Sequence, residues 1–406
     1  FAGLRAVTAG KSSAGRGAAR KTATTRDRRP ARRRPMPRAT ARALRWGGFV
    51  DGVDQFDPYF FGISPREAAF IDPQHRLLLE AAWQALEDAG LPPDGLSGSP
   101  TGVFVGLSFN DYEDLLFRRH RQLNLRVTSG GSRFSAAGRL SFCLNFEGPS
   151  LMADTACSSS LTAVHLACQS LRNHECTLAL AGGVNLILQP HVNVCLSRGD
   201  VLAPDGRCKF GDARADGYGR SEGAGVVVLK PLDVALADGD PIYAVIRGSA
   251  VNHKGNKDGG IVAPSRASLE QVMRSAFAQA GIAPALAHYI EAHGTGTAVG
   301  DLAEIPAIGT VVAEGRPADR PCWIGSVKTN IGHAESASGI AALIKVALSF
   351  KHGQIPPSLH FHEPNPAIPW GTLPVRMTTR AEAWPDDGRP FLAGINNFGI
   401  SGTNAH

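Results

Sequence analysis

From Trp46 onward, short apolar runs closed by glycine alternate with longer stretches whose apolar positions recur at helical spacing. TGVFVGLS (101–108), AGVVVLK (224–230), IYAVIRGSAV (242–251) and CWIGSVK (322–328) are apolar almost throughout, which predicts strands covered on both faces. IDPQHRLLLEAAWQALEDAG predicts an amphipathic helix. Asp72 caps it, Pro73 takes its first turn, Leu77, Leu78, Ala81, Ala85 and Leu86 form its apolar face, and Gly90 ends it. Further helices are predicted over 158–172, 266–281 and 334–351. Strands and helices in alternation favour a layered α/β fold with largely buried sheets. SSSLTAVHLACQSL (158–171) and AESASGIAALIKVAL (334–348) echo one another, being rich in small residues and apolar nearly all round. Such helices belong between layers, and the echo points to two related halves.

The first 45 residues have a different texture. They carry a formal charge of +13, so the remaining 361 residues carry −7 against the overall +6. With few large apolar residues and no period, this leader is expected to be disordered, because it cannot bury enough surface to offset its ordering entropy. A nucleic-acid arm and an organelle-targeting peptide compete with a solvated tail or an out-of-frame reading. The bland readings are preferred, since no aromatic platform or recognition helix accompanies the arginines.

Composition narrows the class further. No run of eighteen apolar residues stands in the chain, and residues 1–20 lack the apolar core of a secretory signal, so a cytoplasmic protein without a membrane span is expected. Seven cysteines at irregular spacing form no CxxC pair and no metal-ligand rhythm, which predicts reduced thiols and no metal site.

Four blocks carry candidate chemistry. In MADTACSSSL, Cys157 stands just before a predicted helix, where the macrodipole favours thiolate and free N–H groups can receive an oxyanion. A cysteine seen alone is more often an inert small hydrophobe, and the other six are read that way. EAHGTGTAVGD (291–301) places His293 at a strand exit, with Thr295 and Thr297 offering hydroxyls at alternate positions to an amide-containing arm. SVKTNIGHAESASG (326–339) places Lys328 at a strand end, His333 at a helix start and Glu335 in the first turn; a plain cap with a solvated ion pair is the alternative. NNFGISGTNAH (396–406) is a glycine-rich turn with Phe398 at its centre, either a loop or a gate beside a pocket.

Their order, Cys…HGTGT…KxNxGHxE…NFGxSGTNAH, closely resembles the β-ketoacyl synthase (ketosynthase) family, in particular the ketosynthase domains of modular type I polyketide synthases. The resemblance runs from about Arg45 to His406 and includes RWGGFVDGVDQFDPYFFGISPREA, GPSLMADTACSSSLTAVHLACQSL and LALAGGVNLIL. It implies a thiolase-like five-layer αβαβα sandwich of two pseudo-duplicated halves, 46–250 with the nucleophile and 251–406 with the histidines. The family's usual opening strand and the strand after NAH are expected to be missing here. Smaller departures are the shifted Phe in CKFGDARADGY and Pro306 in GDLAEIPAI, where a proline inside a helix costs about 3 kcal/mol.

The resemblance also implies roles. Cys157 is the nucleophile that carries the acyl chain as a thioester. His293 and His333 promote decarboxylation of a malonyl-type extender and stabilise its enolate. Lys328 and Glu335 form a charged pair supporting them. The N–H groups of Cys157 and Phe398 form the oxyanion hole, with Phe398 gating the acyl pocket. Thr295 and Thr297 hold the phosphopantetheine arm. The implied reaction is a decarboxylative Claisen condensation, an acyl transfer that extends a polyketide chain. The implied partners are an acyl carrier protein, which brings the phosphopantetheine, an acyltransferase domain of the same synthase, and a second copy of this chain; the domain itself binds no cofactor. An inactive docking remnant and a Cys–His thioester hydrolase are the competing readings.

Overall fold

A computed structural model of the chain describes residues 2–6, 45–118, 123–256 and 259–406. Its strands are β1 (Ala2–Ala6), β2 (Thr101–Gly106), β3 (Ser150–Ala153), β4 (Leu178–Asn185), β5 (Gly223–Leu229), β6 (Val251–His253), β7 (Tyr289–Glu291), β8 (Cys322–Gly325), β9 (Gln354–Ile355), β10 (Val375–Met377), β11 (Glu382–Ala383), β12 (Ala393–Ile395), β13 (Asn397–Phe398) and β14 (Thr403–Ala405). The principal helices are α1 (Pro73–Asp88), α2 (Ser135–Leu144), α3 (Ser159–Arg172), α4 (Arg266–Ala280), α5 (Ala298–Ala313) and α6 (Ser338–His352).

Two sheets repeat one plan. The first is ordered β1-β5-β4-β2-β3, with β2 parallel to β3 and β4, and β5 antiparallel to both β4 and β1. In the second half β7 lies parallel to β8 and β12, and β14 lies antiparallel to β6. Thus β8, β7, β12, β14 and β6 follow the order of β3, β2, β4, β5 and β1, but no ladder joins β12 to β14, so the second sheet is interrupted there into β10-β8-β7-β12 and β13-β14-β6. The β10 strand extends the second sheet beyond β8, and β9 pairs only with β11.

Alternate residues of each strand feed different layers, as the period of two requires. Val226 and Val228 of β5 pack outward with Leu78, Ala82 and Leu140 from α1 and α2. Val227 and Leu229 turn inward to Ala163 and Val164 of α3 and Ile340 and Leu343 of α6. On the far side, Ile290 and Ile324 pack against Leu269 and Met273 of α4 and Ile305 and Ile308 of α5. The order is therefore helices, sheet, helices, sheet, helices: the expected five layers, with the two echoing helices in the middle. Gly339 permits that central contact, because a Cβ there would lie 2.7 Å from the Leu161 backbone nitrogen.

Helix boundaries follow local chemistry. The Asp72 carboxylate accepts the Gln74 N–H at 2.8 Å, and Pro73 opens α1. Pro306 does sit inside α5, which keeps its helical course while buried. The central helix at 334–351 begins later than its pattern predicts: Glu335–Ala337 forms one 3₁₀ turn before α6.

Two expectations need correction. Ala2–Ala6 is a strand, antiparallel to β5, so the leader is not without structure throughout, and the place of a first strand is filled. Its backbone supplies hydrogen-bond partners to an otherwise open β5 edge. The remainder of the leader, 7–44, lies outside the described residues. IYAVIRGSAV forms no strand over 242–250; only Val251–His253 pairs. Residues 244–249 face β12 across an apolar cleft of about 120 Å³, too far for a backbone ladder. At the far end, β14 is paired, and Ala250 and His406 exchange backbone hydrogen bonds at 3.0 Å. Among the described residues no helix is long and apolar enough to cross a membrane, no group of three or more His, Cys, Asp or Glu could hold a metal ion, and all seven cysteines are free thiols.

Candidate active site

The duplicated plan brings the four sequence blocks to one end of the central helices. Cys157 sits between β3 and α3, immediately after Ala156, whose φ of +56° is an uncommon left-handed conformation for a residue with a side chain. Strain of this kind persists only where the surroundings over-determine it. Here the Ser158 hydroxyl donates to the Thr155 carbonyl at 2.9 Å and packs at 3.0 Å from the Thr403 carbonyl, tying the elbow to β14. The Ser338 hydroxyl at the start of α6 donates to the Cys157 carbonyl at 3.2 Å. With its amide oriented to satisfy both neighbours, Asn397 donates to the same carbonyl at 2.5 Å and accepts from Gly339 N–H at 3.1 Å.

His293 follows β7 through Ala292, and His333 lies between β8 and α6; their rings meet edge to face with centroids 5.4 Å apart. Each imidazole has its Nδ1 engaged as an acceptor. Phe398 N–H donates to His293 Nδ1 at 3.3 Å, and Glu335 N–H donates to His333 Nδ1 at 3.1 Å. A neutral imidazole whose Nδ1 accepts must carry its proton on Nε2. Both rings are therefore Nε2–H donors. Burial first, and then the Lys328 cation, hold both histidines well below the usual imidazole range.

Lys328 is 1% exposed, and its Nζ has no hydrogen-bond partner among the described residues. Burial lowers its own pKa, while Glu291, Glu304 and the thiols of Cys208 and Cys157 favour its charged form. The expected Lys328–Glu335 pair does not exist. Glu335 instead accepts from Arg220, Nε to Oε1 at 2.8 Å and Nη2 to Oε2 at 2.5 Å, with both side chains almost wholly buried. A bidentate guanidinium fork fits a carboxylate better than an ammonium does.

Phe398 is also reassigned. Its N–H is committed to His293, whereas the N–H groups of Ile400 and of Cys157 itself face the Cys157 sulfur and favour its anion. The turn after β13 explains the difference: Gly399 N–H bonds to Thr403 O at 2.7 Å, which folds Ile400 back over the sulfur. A Cβ at Gly399 would lie 2.2 Å from the Thr155 carbonyl, so the turn needs glycine there. The Phe398 ring rests 5.5 Å from the His293 ring, beside the site.

The thiol is not the stabilised anion that its place before a helix predicts. Burial pushes Cys157 up to about 12, and Glu335 adds to that, against smaller opposing effects from Lys328 and the two N–H groups. Desolvation outweighs the Lys328 cation and the two N–H groups.

The threonine loop is built from below. Glu304 of α5 accepts the N–H groups of His293 and Gly294 at 2.7 and 2.8 Å and the Asn396 amide at 3.1 Å. Thr295 and Thr297 hydrogen-bond each other through their hydroxyls at 3.1 Å. A cavity of about 440 Å³ lies behind α6 and is lined by none of Cys157, His293 or His333. Sequence reasoning missed Arg220, Glu304 and Ile400. The GYGRSEGAG run of small and charged residues was a signal for the first; the other two carried none.

Models of two family domains match this chain: the β-ketoacyl synthase N-terminal domain over residues 7–235 and the C-terminal domain over 243–362. The chain belongs to the β-ketoacyl synthase family. The first match begins well before Arg45, the point from which the motifs alone carry the resemblance. One phenolphthiocerol/phthiocerol polyketide synthase component of Mycobacterium tuberculosis is 51% identical over 368 residues, 91% of this chain and 20% of that protein. A different subunit of that synthase, from the same species, is 48% identical over 374 residues, 92% of this chain and 20% of that protein. The chain thus spans about a fifth of the length of these curated relatives. Among solved structures, the ketosynthase from module 6 of the bacillaene synthase of Bacillus subtilis superposes with a TM-score of 0.83 at 42% identity, over 88% of this chain and 63% of that one. The oxazolomycin ketosynthase domain OzmH KS7 of Streptomyces albus gives 0.83 at 43% identity, over 89% and 64%. The five layers are accordingly the thiolase-like fold of these ketosynthases.

Proposed function

We propose that this ketosynthase extends a polyketide acyl chain by decarboxylative Claisen condensation, with Cys157 as acyl carrier and His293 and His333 as neutral donors to the enolate. The observation that supports this most is the paired tautomer: a buried His333 and a partly buried His293, each with Nδ1 occupied by a backbone N–H, around the Lys328 and Glu335 charges that also act on Cys157.

The steps balance without a redox partner. The Cys157 sulfur attacks the thioester carbonyl of an acyl chain on an acyl carrier protein; the carrier thiol leaves and takes the proton that Cys157 gives up. The tetrahedral oxygen is held by the N–H groups of Cys157 and Ile400, one such donor being worth about 3–4 kcal/mol of barrier. A malonyl-type extender on the carrier then loses CO₂, and the C–C bonding pair becomes an enolate whose oxygen accepts from the two Nε2–H groups. Its carbon attacks the Cys157 thioester, a C–C bond forms, the C–S bond breaks, and the released sulfur takes a proton from solvent, the one proton that the decarboxylation consumes. Thr295 and Thr297 are assigned to the phosphopantetheine arm, and an acyltransferase domain of the same synthase supplies the extender.

The reading includes a homodimer. Among the described residues β3 is the edge of its sheet, and Leu151 on it is 50% exposed, beside exposed Phe134 and Phe142 at and on α2. An open edge with exposed apolar side chains is a template for pairing with another chain. Intact-protein mass spectrometry after incubation with acyl-carrier thioesters tests the chemistry. A stoichiometric acyl adduct that converts to β-ketoacyl carrier on adding malonyl carrier is expected, and Cys157→Ala removes it. Release of free acid in place of condensed product would overturn the assignment in favour of hydrolysis.

A further inference from the structure

Arg220 lies outside every block that the sequence singled out, yet it reaches the catalytic pair from beneath. The chain on either side of it brackets His333: His333 N–H donates to Gly219 O at 2.7 Å, and Ser221 N–H donates to His333 O at 2.9 Å. Tyr218 sets its ring edge-to-face on the His333 ring at 4.9 Å. The Arg220 side chain is almost fully enclosed, at 2% exposure. Its Nε and Nη2 grip both Glu335 oxygens, Nη1 donates to the Asn193 side chain, and the guanidinium stands 5.4 Å from the Phe109 ring centre.

Glu335 is the other half of the argument. Its φ is +44°, a left-handed conformation that a residue with a side chain rarely adopts. Its N–H belongs to the Ala334–Glu335 peptide and faces His333 Nδ1, while the left-handed φ sends its side chain to Arg220. Something must hold it there, and a bidentate ion pair with no solvent access is the anchor present.

We propose that Arg220 is a positioning residue, anchoring the Glu335 side chain and so fixing the Ala334–Glu335 peptide, whose N–H holds His333 as the Nε2–H tautomer. The role rests on the condensation reading above only for its consequence on rate; the tautomer itself is independent of it. The charged and titratable groups facing His333 are Arg220 and Tyr218 from the 218–220 segment, Lys328 after β8, Glu335 on its own turn, and His293 from the loop after β7.

The test combines tautomer spectroscopy with kinetics on the whole chain. In ¹⁵N-histidine-labelled protein, with the His333 signals assigned by their loss in His333→Gln, the wild type gives a neutral ring with an unprotonated Nδ1 that persists down to acidic pH. Arg220→Met gives mixed tautomers and a ring that protonates at higher pH, because a cation is lost and the Glu335 carboxylate is left uncompensated. In condensation assays kcat falls about 10²–10⁴-fold with KM little changed, the range for loss of a positioned acid–base group. Arg220→Lys, with a point charge in place of a fork, recovers part of both signals. Should Arg220→Met not fold, Arg220→Met with Glu335→Gln removes both buried charges and is read in the same way. Wild-type His333 signals and pH response in a folded Arg220 variant would overturn the proposal, whatever the rate. A wild-type chain that shows the tautomer but no condensation would instead overturn the functional reading and leave the positioning role standing.

Discussion

The Cys157 thiol offers the most direct check on how burial and the helix terminus compete. Its pKa lies near 12 against an ordinary value of 9.0. At pH 8 a thiol of pKa 9 is about 10% ionised and one of pKa 12 about 0.01%, a thousandfold loss of thiolate. The more basic sulfur is intrinsically more nucleophilic, by about 15–30-fold over three units at a Brønsted slope of 0.4–0.5, so the net slowing is about 30–60-fold. The perturbation is pH alone, and the assay is iodoacetamide alkylation followed by peptide mass spectrometry. Cys195, exposed on the short helix His191–Arg198, reports alkylation of an open thiol in the same sample. The Cys157 rate is expected to rise close to tenfold per pH unit from 7 to 10 without a plateau. A midpoint at or below pH 9 would refute the argument, because it would mean that Lys328, the two N–H groups and the α3 dipole together outweigh desolvation.

Three further outcomes follow from the site. Lys328→Met removes the cation that lowers both histidines, so their pKa values rise and the acidic limb of the condensation pH profile moves to higher pH; a profile unmoved or moved to lower pH counts against this. Glu304→Ala leaves the His293 and Gly294 N–H groups buried without an acceptor, at about 1–3 kcal/mol each, and urea unfolding should show a loss of about 2–6 kcal/mol that Glu304→Gln partly recovers. Leu151→Asp on the β3 edge should shift sedimentation from dimer to monomer while far-ultraviolet circular dichroism stays unchanged; an unaltered dimer places the interface elsewhere.

Much of the fold was legible because period and punctuation carry it. The apolar runs at 101–108 and 224–230 became β2 and β5, and Asp72-Pro73 opened α1 where its side-chain cap requires. What failed depended on distant neighbours. Nothing local in IYAVIRGSAV tells that the backbone opposite lies across a cleft, and nothing in AGLRA tells that β5 offers it an edge. The site divides in the same way. Cys157, His293 and His333 stand in motifs whose glycines and small residues mark tight turns, so they could be found. Pairing could not: Glu335 chose Arg220, 115 positions away, over Lys328 seven positions away, and the Ile400 N–H faces the sulfur where the Phe398 N–H was expected, through a turn only coordinates reveal.

The repeated topology accounts for why the reacting groups meet. Cys157 lies between β3 and α3, and His333 lies between β8 and α6, which are equivalent stations in the two halves. His293 follows β7 just as Leu107 follows β2, and Asn396–Asn397 follow β12 just as Asn185 closes β4. In the first half Asn185 donates to the Ser221 carbonyl at 2.8 Å, bracing the segment that carries Arg220; in the second, Asn396 braces Glu304 and Asn397 reaches Cys157. Because α3 and α6 share the central layer, placing a nucleophile at the start of one puts it against the acid at the start of the other. Divergence of the two stations, one to sulfur and one to imidazole, supplies the residues that the proposed function uses as acyl carrier and enolate-stabilising pair. The layer that makes this possible is held by Gly339 against Leu161, so enlarging that glycine should separate the reacting groups and stop condensation before it unfolds the chain.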